Sequence, residues 1–322
     1  MMFTSDEISR AKEIVYARMT ATPQRVLPML THAMGQEIWV KHENLTPLSA
    51  FKARGGLVHM RLRQERGQTG GVITASTGNH GQSIPFAARH EGVPAVVVVP
   101  EHNSAEKNAA MRALGAELIE TGHDFNAAKE AMEQMASERG LDIVPSFHRD
   151  LVLGVSTYAH ELFDEAGELD AVYVPIGMGS GCCGVISARD ALGLKTEVIG
   201  VVSTEANAYA RSFESGKAEA TNSARTFAEG MAVRIAHPDA VAMINKGCSR
   251  IVEVSDDEIA EAMRLLFRTT RTVAEGAGAA ALAALMQERE AMRAKRVGVV
   301  LSGGNIDAAR FAKVLAGETP KV

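Results

Sequence analysis

From residue 70 onward, short and mostly apolar runs alternate with longer segments of helical periodicity, and this alternation constrains the fold more than any other feature. The runs are Val72–Thr74, Ala95–Val99, Glu117–Glu120, Ile143–Val144, Ala171–Pro175, Val198–Val202, Arg250–Val254 and Val297–Leu301. Helical patterns occupy 82–90, 105–114, 125–139, 151–166, 185–192, 256–270, 277–290 and 306–315. Most of the runs are continuously apolar rather than alternating, which predicts strands buried on both faces. Such strands, separated by helices, predict parallel sheets covered by helices. The expected class is α/β, two-lobed, with ligands in a cleft at the carboxyl ends of the strands. Upstream, Ser5 or Asp6 is placed to cap a helix reaching about Met19, Thr22-Pro23 breaks it, and Glu37 to Glu43 reads as a strand. No repeat or linker divides the chain, and the Gly/Ser/Thr-rich piece 215–225 reads as an excursion within a domain.

A length of 322 residues suits one large or about two ordinary domains. The net charge of −5, with no basic stripe, argues against nucleic-acid partners. Three cysteines, Cys182, Cys183 and Cys248, form no Cys-x-x-Cys motif and fit a reducing compartment. The first twenty residues carry six charges without an apolar core, unlike a secretory leader, and the longest apolar runs fall short of a membrane span. A cytoplasmic protein without membrane contact is expected.

Four stretches can carry chemistry. Ser49-Ala50-Phe51-Lys52 follows the break Asn44-Leu45-Thr46-Pro47 and opens a helical pattern running to Glu65. A lysine there meets the positive end of the helix dipole, so it is either an ordinary surface residue or an amine with a task. Ser76-Thr77-Gly78-Asn79-His80-Gly81 lies between a strand and a helix, and reads as an anion site or as a capped turn. Gly177-Met178-Gly179-Ser180-Gly181 also lies between a strand and a helix, and favours phosphate. Gly179, Gly181 and Gly184, with Glu205 further on, also fit a dinucleotide fingerprint. Ser302-Gly303-Gly304-Asn305 ends the last strand, as a turn or as part of the same cleft. Among ten histidines only His80 falls in such a stretch; the others lack metal-ligand spacing. Cys182 and Cys183 read as small residues packing a helical turn.

Taken in order, with Phe227-Ala228-Glu229-Gly230 before the last, these motifs resemble the fold-type II pyridoxal-phosphate enzymes, of the tryptophan synthase β-subunit-like class. The nearest branch is that of threonine/serine dehydratases and serine racemases, and the resemblance covers nearly the whole chain. It implies two open sheets with the cofactor between a large domain, 1–52 and 152–322, and a small domain, 53–151. It implies that Lys52 holds pyridoxal phosphate covalently, with Phe51 beside the ring and Asn79 on its phenolic oxygen. Gly177, Met178, Gly179, Ser180 and Gly181 would hold the phosphate, and Ser302 would meet the ring nitrogen. Ser76, Thr77, Gly78 and His80 would surround the substrate carboxylate, and Glu275 resembles a family acid near the ring. The implied activity is that of a carbon–oxygen lyase turning a β-hydroxy amino acid, threonine or serine, into a 2-oxo acid and ammonia. A freed Lys52 would take the α-proton, which requires an amine of depressed pKa. A serine at the ring nitrogen moderates the electron sink and favours loss of the β-hydroxyl. Assembly as a homodimer or homotetramer is also implied.

Departures from the family pattern narrow the branch. Thr77 stands where racemases place a serine base. The acids of a racemase-like metal site align with Val202 and Ala208, so no metal is expected. The chain ends soon after its last helix, leaving no room for the regulatory domain of biosynthetic threonine deaminases. A racemase or hydroxyaspartate dehydratase on the same scaffold, and more remotely an NAD-type oxidoreductase, are the alternatives. Residues 43–46 and 146–148 are the expected walls of the side-chain pocket.

Overall fold

The computed structural model describes residues 3–321. Ten strands occur among them: β1 Gln24–Val26, β2 Ile38–His42, β3 Val72–Ala75, β4 Ala95–Val99, β5 Glu117–Glu120, β6 Asp142–Ile143, β7 Ala171–Pro175, β8 Glu197–Ser203, β9 Cys248–Val254 and β10 Val297–Leu301. They form two sheets, one of six strands in the order β1-β2-β10-β7-β8-β9 and one of four in the order β5-β4-β3-β6. Every pairing is parallel except β1 with β2. The expected α/β class with two mainly parallel sheets is therefore what the chain adopts.

The pattern works because β3, β4, β7 and β10 are buried at every residue, as continuous apolar strands under helices must be. Apolar layers cover both faces of each sheet, and the largest joins the helices around Lys52 to one face of the six-stranded sheet.

Several local expectations shift. Thr4, rather than Ser5 or Asp6, caps the helix Ser5–Tyr16, in a reciprocal box with Glu7 that satisfies two orphan amides. Strand β2 stops at His42, and Glu43–Leu45 forms a turn of 3-10 helix. The short β1 and the helices Pro28–Met34, Ala208–Ser215 and Pro238–Gly247 add to the sequence reading. No helix among the described residues is long and apolar enough to cross a membrane.

The helix Lys52–Glu65 packs between the helices Asn79–His90 and Arg149–Ala166. It thereby links the helical layer of the four-stranded sheet to that of the six-stranded sheet.

Candidate active site

The turn that delivers Lys52 is held by the turn after β10, 250 residues later in the chain. Ser49 takes a left-handed backbone (φ 51°), and Ala50 pairs with Gly303 in an antiparallel bridge. Phe51 N–H donates to the Ser302 carbonyl at 3.1 Å, and Gly304 N–H to the Ser49 carbonyl at 2.8 Å. The lysine stretch and the Ser302 stretch are thus one backbone unit.

The helix then starts at Lys52 with no acidic residue in its first turn and no side-chain cap. Lys52 Nζ donates to Ser180 Oγ at 3.1 Å and lies 5.2 Å from the centre of the Phe51 ring. Removal from water lowers the amine to about 8. An ammonium with no carboxylate partner in this position is easily deprotonated, as a nucleophilic amine must be.

Ser180 is the first residue of the helix Ser180–Ala191, whose first-turn amides have no intrahelical acceptor. Gly179, at φ 96°, takes a backbone open to glycine and costly for other residues. A Cβ on Gly177 would stand 2.2 Å from the Gly230 carbonyl oxygen, so the loop is pressed against the Phe227-Ala228-Glu229-Gly230 stretch. Tyr209 donates its hydroxyl to the Met178 carbonyl at 3.0 Å and Tyr158 to the Gly181 carbonyl at 3.1 Å. Two carbonyls of the loop are thereby occupied, and its amides at the helix start make a cradle for an anion.

Asn79 opens the next helix and joins three motifs. Its side-chain amide donates to Glu275 Oε1 at 2.7 Å, and its Oδ1 accepts from Asn305 Nδ2 at 2.8 Å. Burial raises the Glu275 carboxyl to about 7, against the pull of Lys107 and the Asn79 hydrogen bond. Ser83, one turn on, donates to the Lys52 carbonyl at 2.6 Å and fixes this helix to the lysine helix.

The remaining candidates of that loop are less uniform. Ser76 Oγ accepts from Gly78 N–H at 3.3 Å, and the Thr77 carbonyl accepts from Asn103 at 3.3 Å. The His80 ring turns toward the end of β6, its Nε2 3.4 Å from the Val144 carbonyl. A carbonyl only accepts, so the proton sits on Nε2. Burial, then the Lys52 charge, pushes His80 down to about 3, and the ring is neutral. Ser302 is buried beside the Phe51 amide.

Glu43 is not a pocket wall. It is fully buried in an ion cluster in which Arg54 donates to Glu43 at 2.8 and 3.0 Å and to Glu161 at 2.6 and 2.9 Å. Lys41 adds a bond to Glu161 and one to the Thr22 carbonyl, so two cations balance two carboxylates. Sequence reasoning missed this cluster, as it missed Tyr158 and Tyr209. Arg54, a charge two residues after Lys52 in a helix that buries Leu57, Val58 and Met60, is the signal that could have found it.

These residues fit pyridoxal phosphate: a desolvated amine, a glycine loop at a helix start whose neighbours leave no room for a Cβ at Gly177, and a polar set around Asn79. A profile of the family described as "Pyridoxal-phosphate dependent enzyme" matches residues 17–303. The chain belongs to that family. Its cofactor is pyridoxal phosphate, and the dinucleotide reading of Gly179, Gly181 and Gly184 falls away. Gly184 instead serves packing, since a Cβ there would meet Val155 at 2.8 Å.

Relatives of this pyridoxal-phosphate enzyme span most of its length. It is 32% identical to the L-threo-3-hydroxyaspartate ammonia-lyase of Saccharomyces cerevisiae, over 97% of this chain and 95% of that protein. It is 36% identical to the phenylserine dehydratase of Ralstonia pickettii, over 87% of this chain and 86% of that protein. The structure of the processed form of threonine deaminase isoform 2 from Solanum lycopersicum superposes with a TM-score of 0.89 at 27% identity, covering 98% of this chain and 95% of that one.

Proposed function

We propose that this pyridoxal-phosphate enzyme dehydrates a β-hydroxy amino acid, L-threonine or L-serine, to a 2-oxo acid and ammonia. The observation that carries the reading is the Lys52 amine, lowered to about 8 and facing Ser180 of the phosphate cradle. Pyridoxal phosphate supplies the electron sink for charge developing at the substrate α-carbon. Lys52 would anchor the cofactor and, as a neutral amine, would take the substrate α-proton. The amides of Gly177 through Gly181 would hold the phosphate. Phe51 would pack beside the ring, Asn79 would hold the phenolic oxygen, and Ser302 would meet the ring nitrogen with a hydroxyl that need not keep it protonated. Ser76, Thr77, Gly78 and His80 orient the substrate carboxylate, His80 through its backbone because its ring is engaged with Val144. The carbon–oxygen bond breaks on the protein and the carbon–nitrogen bond by hydrolysis afterwards, which is the sense in which such enzymes are ammonia-lyases.

Side-chain choice falls to the segment after β6. Phe147 is buried and lies 4.7 Å, ring to ring, from His237, whose backbone N–H donates to the Tyr209 hydroxyl that holds Met178. The yeast relative named for hydroxyaspartate keeps threo-3-hydroxyaspartate as the second reading.

The same reading divides the chain into a large domain, 1–52 and 152–322, and a small one, 53–151. It places the enzyme in the cytoplasm as a homodimer or homotetramer. Free cysteines are in keeping with that compartment. A panel of L-threonine, L-serine, threo-3-hydroxyaspartate and phenylserine, scored by 2-oxo acid release and by chiral chromatography, tests the function. Release from L-threonine or L-serine without inverted amino acid is expected. Inverted amino acid without 2-oxo acid would make the enzyme a racemase instead.

A further inference from the structure

The histidines that looked scattered along the sequence are not all scattered in space. His59 lies on the Lys52 helix, two turns beyond the lysine, and His148 precedes the helix Arg149–Ala166; their rings are 4.8 Å apart, edge to face. Asp150, on the first turn of that second helix, places Oδ2 3.6 Å from His59 Nδ1 and 3.6 Å from His148 Nδ1. We propose that His59, His148 and Asp150 form a site for a divalent transition-metal ion of the zinc class, built on residues other than those that would hold pyridoxal phosphate.

The geometry suits that ion. A tetrahedral zinc with bonds of about 2.0–2.1 Å has ligand-to-ligand edges of roughly 3.4 Å. Two of the three edges here are 3.6 Å, and all the ligand atoms lie within 4.8 Å of one another. Rotation of His148, whose side chain is 39% exposed, closes the third. His59 is 94% buried, and its Nδ1 has no polar contact closer than the 3.6 Å approach to Asp150 Oδ2, long for a hydrogen bond. A buried ring nitrogen left so is costly unless something else takes its lone pair. No other such cluster of three occurs among the described residues.

His59 and His148 also line a cavity of about 430 Å³, which gives an ion a route in and room for water as the fourth ligand. Two imidazoles and one carboxylate select zinc, nickel or copper over magnesium or calcium, which prefer all-oxygen shells. One group competes. Arg66 donates to Asp150 Oδ2 at 2.8 Å and occupies the cation position in the metal-free arrangement. Its side chain is 46% exposed and free to swing into solvent. His148 Nδ1 likewise gives up the 3.1 Å bond that it accepts from Asp150 N–H. In exchange the ion ties the helix bearing Lys52 to the helix Arg149–Ala166.

The test is calorimetric titration of the tag-free, cofactor-loaded protein with Zn²⁺ and, separately, with Mg²⁺. Binding of one Zn²⁺ per chain is expected, at least a hundredfold tighter than Mg²⁺. Affinity for Zn²⁺ should fall at least tenfold in His59→Ala and in His148→Ala, and rise several-fold in Arg66→Gln, which removes the competing cation. Should His59→Ala not fold, the half-exposed His148→Ala decides. Absence of saturable Zn²⁺ binding, equal affinity for Mg²⁺, unchanged affinity in His148→Ala, or unchanged or weaker affinity in Arg66→Gln would each overturn the site.

Discussion

The Lys52 amine stands 3.1 Å from the Ser180 hydroxyl, so the proposed anchor of the cofactor and the first residue of the phosphate-loop helix meet directly. An amine held at about 8 is roughly one-tenth neutral at pH 7 and nine-tenths neutral at pH 9. Covalent uptake of pyridoxal phosphate by the cofactor-free protein should therefore speed up about tenfold over that interval. Stopped-flow absorbance at a series of pH values measures it, and a flat profile would remove Lys52 as the titrating nucleophile.

Glu275 should leave a signature in stability. Its carboxyl is raised to about 7 by burial, so the folded protein keeps a proton there that the unfolded chain releases near 4.5. Folding then takes up a proton between those values, and stability falls as pH rises through that window. A gap of this size corresponds to at most about 3 kcal/mol. Urea unfolding at pH 5 and pH 8 should show a loss in the wild type that Glu275→Gln reduces by about 2–3 kcal/mol. Glutamine keeps an acceptor for Asn79 and has nothing to titrate.

Arg54 carries the buried ion cluster. Burial opposes its charge, but the Glu43 and Glu161 carboxylates outweigh that and hold it protonated. Arg54→Met leaves two buried carboxylates with Lys41 alone, and removal of one partner from such a set costs about 3–5 kcal/mol. Denaturant unfolding at pH 7 should show that loss; a change below about 1 kcal/mol would mean that water replaces the guanidinium.

Gly177 tests the cradle. An added Cβ meets the Gly230 carbonyl oxygen at 2.2 Å, so the loop or its neighbour must shift. Gly177→Ala should weaken pyridoxal-phosphate affinity at least tenfold by fluorescence titration while circular dichroism stays unchanged. Wild-type affinity in that variant would place the phosphate elsewhere.

What the sequence could disclose followed from how local each signal is. The strands β3, β4, β7 and β10 were readable because burial on both faces writes a continuous apolar run into a few adjacent residues. Strand β1, Gln-Arg-Val at an antiparallel edge, has too few residues and too little burial to show a period. The helix Pro28–Met34 was missed although proline at its start and Gly35 at its end announced it. Lys52, Asn79, the 177–181 loop and Ser302 could be singled out because each sits on a break between a strand and a helix. The triangle of Asn79, Glu275 and Asn305 could not, since nothing in one dimension ties three positions so far apart. Tyr158 and Tyr209 lie inside helices, where a tyrosine bonded to a loop carbonyl looks like any core aromatic. His59 and His148 belong to the same class: ligand spacing is visible in sequence only when one element supplies both residues.

The most direct measurement compares wild type and Lys52→Ala for the visible absorbance of bound pyridoxal phosphate and for 2-oxo acid release from L-threonine and L-serine. The wild type should be yellow and release 2-oxo acid from at least one of them. Lys52→Ala should lose the covalent cofactor band and roughly a thousandfold or more of the turnover. A Lys52→Ala protein that keeps both, or a wild type that takes up cofactor but turns over neither amino acid, would contradict the account.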